Sequence, residues 1–131
     1  MTPDAVVREL WSRVQQRDWV GLAELLDPGI RVEWPATGET FVGPEAFVAV
    51  QAEYPEGWTI RLMRVIAAGD TVVSEVEVPH EPSGLTFRVA SFFSVVGDRV
   101  VSATEYWVTV AGDEPPEWRR RWNARSSPDG L

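Results

Sequence analysis

Two glutamates sit in strands whose other residues are mostly apolar, a placement that forces a choice of chemistry on each carboxylate. Glu105 lies in Arg99-Val-Val-Ser-Ala-Thr-Glu-Tyr-Trp-Val108, after a Gly97-Asp98 turn and an apolar strand that would pair with it as a hairpin. Period-2 alternation groups Glu105 with Val101, Ala103 and Trp107. If that face looks inward, a carboxylate beside indole either finds a hydrogen-bonding partner or keeps its proton. Glu77 alternates with Val76 and Val78 and shares a face with Glu75. Alternation alone does not say which face is inside. Were Glu77 to meet Glu105 in a cavity, repulsion would raise one pKa and leave an acid beside a base, the arrangement acid–base catalysts use. Arg88, on the following strand, is the candidate to neutralise Glu77, and such a closed pair would be structural.

The rest of the inventory removes other chemistries. The 131 residues contain no cysteine and one histidine, and all 12 basic residues are arginine. Thiol nucleophiles, Cys-ligated zinc, lysine Schiff bases and a His-rich metal site within one chain are therefore excluded. No metal or organic cofactor is expected. A net charge of −8 repels phosphate backbones and anionic lipid, so neither nucleic acid nor membrane is an expected partner. No apolar run approaches the roughly 20 residues that span a bilayer. No secretory leader is visible at Met1-Thr-Pro-Asp4, and cytoplasmic residence is the expectation.

The elements that must position these residues follow from periodicity. Val6, Val7, Leu10, Trp11 and Val14 predict an amphipathic helix over 3–17, and Asp18 caps a short second helix. Short strands follow at Ile30–Trp34 and Thr40–Val42, then a third helix entered through Gly43-Pro44-Glu45. Four longer strands complete the domain: Trp58–Ala67, Thr71–Val78, Leu85–Val96 and Arg99–Val110. His80 reads as an exposed residue of a Pro-flanked connection, and Trp11, Phe47, Phe92 and Phe93 as core. Residues 1–110 form the domain. Residues 111–131 form a tail in which Trp118 and Trp122, spaced i, i+4 around three arginines, share one side of a short helix that docks on the domain or on a second subunit, or else covers the mouth of a pocket. The class is α+β.

This order of elements resembles the nuclear transport factor 2-like superfamily, and within it the SnoaL-like proteins. The matching motifs are Glu33-Trp34-Pro35, Gly43-Pro44-Glu45, and Phe92-Phe93-Ser-Val-Val-Gly-Asp-Arg-Val-Val leading to Glu105-Tyr106-Trp107. The resemblance implies a cone: a curved antiparallel sheet of about four long strands plus short N-terminal strands, wrapped around three helices, with a cavity at its open end. Trp34, Tyr54, Trp58 and Trp107 would then wall a pocket, with Arg88 a further ligand-binding candidate. Similarity to epoxide hydrolases of this fold places Glu75 and Glu77 on their Arg-x-Asp pair and Glu105 on their last-strand carboxylate, without the arginine. The ketosteroid isomerase base position is Trp34 here, and the two histidines of scytalone dehydratase are not both available.

Two functions stay open. One is a cofactor-independent isomerase, cyclase or hydrolase using Glu105 and Glu77 on a small apolar organic substrate. The other is a non-catalytic ligand-binding or dimerisation module. Both predict a homodimer, because one cone of helices covers only one of the two apolar faces of the sheet.

Overall fold

The computed structural model describes residues 1–125. Helix α1 (Pro3–Gln15) buries Val6, Val7, Leu10, Trp11 and Val14, the stripe that its sequence spacing predicts. Asp18 then caps α2 (Trp19–Glu24) by accepting from the Gly21 amide at 2.9 Å. A Cβ on Gly21 would stand 2.2 Å from the Asp18 carboxylate, so cap and glycine require each other. Helix α3 (Pro44–Ala52) follows strands β1 (Leu26–Trp34) and β2 (Glu39–Val42).

The remaining strands are β3 (Arg61–Ala68), β4 (Thr71–His80), β5 (Leu85–Val96) and β6 (Arg99–Thr109). They join β1 and β2 in a six-stranded sheet of order β2-β1-β6-β5-β4-β3. The α+β expectation holds, and the sheet is mixed rather than wholly antiparallel, because β1 lies parallel to β6. Two helices precede β1, and β6 reaches it only after the meander has folded back, so no hairpin dictates their direction. The third helix, α3, has nine residues, fewer than the 13 of α1.

The inward face of the sheet is read from burial. On β4 it carries Val72, Ser74, Val76 and Val78, and on β5 Val89, Ser91, Phe93 and Val95, all buried. Trp11 packs edge-on to Phe93 and donates its indole N–H to Ser74 Oγ at 3.0 Å, fixing α1 over the sheet. On β6 the register shifts between Ser94 and Val95, which pair with Ser102 and Val100. Val101 is the extra residue of this bulge. Val100 is thereby fully buried and Val101 only partly so, which removes Val101 from the expected set while Ala103 and Glu105 keep theirs.

The outward face corrects two further expectations. Phe92 is 45 % exposed and packs edge-on against Tyr106 there, so it is not core. Glu77 and Arg88 are register partners on this face, away from Glu105. In the tail, Glu117–Trp122 is a 3₁₀ helix whose Trp118 and Trp122 are more than 70 % exposed, so they are not packed on their own domain.

Candidate functional site: a buried glutamate behind an aromatic cavity

Glu105 is 1 % exposed. Its register partner on β5 is Ser91, whose Oγ donates to Glu105 Oε2 at 2.6 Å. From β1, on the other side of β6, Trp34 donates its indole N–H to Glu105 Oε1 at 3.0 Å. Burial pushes the carboxyl pKa up, and the two donors, Ser91 first, pull it back without cancelling the effect. The carboxylate has no arginine partner among the described residues, and both its oxygens are occupied by neutral donors.

A cavity of about 380 Å³ opens where the end of α3 faces the ends of β4 and β6 and the start of β5. Trp34, Tyr54, Trp58, Phe87 and Trp107 form its aromatic wall, with Val50, Ile60 and Val78 filling between them. The four aromatic residues expected from the sequence are therefore brought together. Glu105 sits one inward position deeper on β6 than Trp107 and is not among the lining residues, whereas Trp34, which bonds to it, lines the cavity with its ring 5.8 Å from that of Trp107. No charged side chain lines the cavity among the described residues.

Two candidates fall outside it. Glu77 bonds to Arg88 at 3.1 Å and to Arg61 at 3.5 Å, while Glu75 pairs with Arg64 at 2.9 Å and with Arg88 at 3.6 Å. The packing of Val72, Val76 and Val78 against the core fixes the parity of β4 and turns both glutamates outward. The carboxylate pair imagined for Glu105 and Glu77 does not form, and Arg88 is a strand-to-strand tie rather than a ligand contact.

Loop contacts hold the cavity entrance. His80, read from sequence as exposed, is 7 % exposed. Its Nε2 faces the carbonyl oxygens of Pro55 and Glu56 at 3.1 and 3.2 Å, which accept only, so Nε2 carries the proton. Nδ1 meets Ser83 Oγ at 2.8 Å. The β4 strand continues through Pro79 on the outward face, which the flanking prolines concealed. Gly57 (φ +110°) lets the loop pass Pro82, where a Cβ would stand 2.4 Å from the ring. Arg17 lies 3.4 Å over the Trp58 ring and donates to the Trp58 carbonyl at 2.7 Å. It also pairs with Glu56 at 2.8 Å, and this hydrogen bond lowers the exposed Glu56 pKa.

Phe87 and Gln51 are among the lining residues that the sequence reading missed. Gln51 is 8 % exposed and shares the buried side of α3 with Phe47, four residues earlier. The signal was available: Phe47 and Gln51 are spaced for one helix face, and an amide stands where an apolar residue belongs. Among the described residues, no cluster of three or more acidic or histidine side chains is arranged to hold a metal ion. No described helix is long and apolar enough to cross a membrane.

A half-cone of mixed sheet over three helices, with a cavity at its open end, defines a nuclear transport factor 2-like architecture. The SnoaL-like domain profile matches residues 7–103, and the chain belongs to that family. A Kribbella flavida DSM 17836 structure that carries the name of a ketosteroid isomerase is 26 % identical, with a TM-score of 0.84 over 94 % of this chain and 88 % of that one. An NTF-2 like protein of unknown function from Burkholderia xenovorans LB400 is 20 % identical, with a TM-score of 0.72 over 92 % of each chain. An LEH-like epoxide hydrolase from M. tuberculosis is 17 % identical, with a TM-score of 0.69 over 81 % of this chain and 82 % of that one. A search of curated proteins gives no match.

Proposed function

We propose that this chain binds a neutral, mostly apolar small molecule in the aromatic cavity. The observation that carries this reading is a wall of three indoles, a phenyl and a phenol with no charged side chain among the described residues. Burying a charged ligand there would cost its hydration without a counter-charge, whereas apolar surface gains roughly 25 cal/mol per Å² buried. Equilibrium titration with neutral bicyclic and phenyl-substituted compounds, followed by intrinsic tryptophan fluorescence, tests it. Saturable quenching at micromolar concentration is expected; no response to any of them contradicts the reading.

Catalysis is the second reading, and Glu105 is the observation in its favour. A carboxyl with a raised pKa at the back of an apolar cavity is the type of group that passes a proton to a bound substrate. The names of the Kribbella and M. tuberculosis neighbours, an isomerase and an epoxide hydrolase, point to the same chemistry. Against it stands the burial of Glu105, which is 1 % exposed and does not line the cavity; catalysis requires the wall to open toward it. The chain also pairs as a homodimer in this proposal, through the outward sheet face. Ile66, Phe92, Tyr106 and Val108 are each at least 45 % exposed there, beside the alternating Arg and Glu side chains of β3, β4 and β5.

A further inference from the structure

We propose that the tail is an arm that docks on a second copy of this chain, with Trp118 and Trp122 packed against that copy's outward sheet face and Arg119, Arg120 and Arg121 drawn by its negative charge. The proposal rests on the homodimer reading above and assigns the segment that completes the contact.

Every residue from Ala111 to Arg125 is exposed, so the tail is not packed on its own domain. It nevertheless has structure of its own. Pro115-Pro116 give a stiff lead into the 3₁₀ helix Glu117–Trp122. Glu117 pairs with Arg120 at 3.2 Å, and the Arg121 guanidinium stands 4.9 Å over the Trp122 ring. Each indole buries about 150–250 Å² when covered, so the two arms of a dimer would remove on the order of 600–1,000 Å² from water. A stable interface buries roughly 1,600 Å² in total. The outward face alone offers a limited apolar patch. Ile66, Val73 and Phe92 are register partners across β3, β4 and β5, and Phe92 meets Tyr106 on β6. Beside them lie the Arg64–Glu75 and Arg61–Glu77–Arg88 ion pairs. The arms supply a large share of the apolar area that the sheet faces lack. Their root is continuous with the patch, because the exposed Tyr106, Val108 and Val110 alternate along the end of β6 and lead into Ala111.

Charge selects the same partner. Four of the 12 arginines, Arg119, Arg120, Arg121 and Arg125, lie in residues 117–125 with one acid, Glu117, so the net charge of −8 is carried by the rest of the chain. An acidic second copy attracts the arm, whereas an anionic lipid surface would repel the body that carries it.

The test compares dimer dissociation constants, from sedimentation equilibrium, for three full-length chains. They are the native chain, Trp118→Ser with Trp122→Ser, and Arg119→Glu with Arg120→Glu and Arg121→Glu. All of these positions are exposed, so neither variant disturbs the core. Loss of both indoles is expected to weaken the dimer about tenfold or more, and charge reversal to weaken it more in low salt than in high salt. The Trp118 and Trp122 indole N–H resonances of the native chain should shift on dilution through the same transition. A native dimer whose constant survives loss of both indoles overturns the arm and leaves the homodimer standing. That result, joined to binding of phosphatidylglycerol vesicles by the native chain but not by the indole variant, would give the tail to a lipid surface instead. A native chain that stays a monomer at micromolar concentration overturns both readings.

Discussion

The Trp34 indole N–H and the Glu105 carboxylate meet at 3.0 Å although 71 residues separate them in the chain. The parallel pairing of β1 with β6 brings them together, with Val32 beside Ala103 and Glu33 beside Thr104 placing Trp34 next to Glu105. Trp34 thereby closes a buried polar row that begins with Trp11 and Ser74 and passes through Ser91.

Trp34→Phe keeps an aromatic ring and removes the donor. The loss should cost about 1–3 kcal/mol in urea unfolding, since the partner oxygen stays buried. The Glu105 pKa, already raised by burial, should rise further in that variant. NMR titration of the side-chain carboxyl reads this, and an unchanged pKa would mean that the indole does not stabilise the ionised form.

Glu105 also imprints a pH dependence on stability. The folded state holds its proton to higher pH than the unfolded chain, so its contribution is fully present below the unfolded glutamate pKa of roughly 4.3 and is lost as pH rises through the folded value. Glu105→Gln cannot titrate. The native chain should therefore lose stability relative to Glu105→Gln as pH rises through that window. Parallel Tm profiles for the two proteins would refute the raised pKa.

Arg88→Ala should leave ligand affinity unchanged and cost no more than about 1 kcal/mol, as expected for half-exposed ion pairs across strands. A large loss of affinity would put Arg88 back in the site.

Much of this was legible in the residues. The stripe of α1, the Asp18 cap and the inward parity of Glu105 are local consequences of periods 3.6 and 2. So were Trp34, Trp58 and Trp107, bulky residues at element ends. Glu77 was not, because a two-residue period defines two faces without labelling them, and the family comparison chose the wrong one. The β1–β6 pairing and the bulge at Val101 are set by tertiary closure rather than by local pattern. Gln51 escaped because a lone amide in a short helix reads as surface until the position of Phe47 fixes which side is buried.

The outward face gives a separate prediction. Sedimentation equilibrium at micromolar concentration should show twice the chain mass of 14.7 kDa, and Phe92→Glu should return it to a single chain. A native chain that sediments at 14.7 kDa would refute the dimer while leaving the cavity untouched.

The cavity itself is tested most directly by indole N–H resonances, because the chain carries its own controls. Of its seven tryptophans, Trp34, Trp58 and Trp107 wall the cavity, whereas Trp118 and Trp122 are exposed in the tail. Titration of 1-tetralone into ¹⁵N-labelled protein should move the Trp58 and Trp107 signals saturably and leave Trp118 and Trp122 in place. Shifts confined to the two tail indoles, or none at all, would contradict the account.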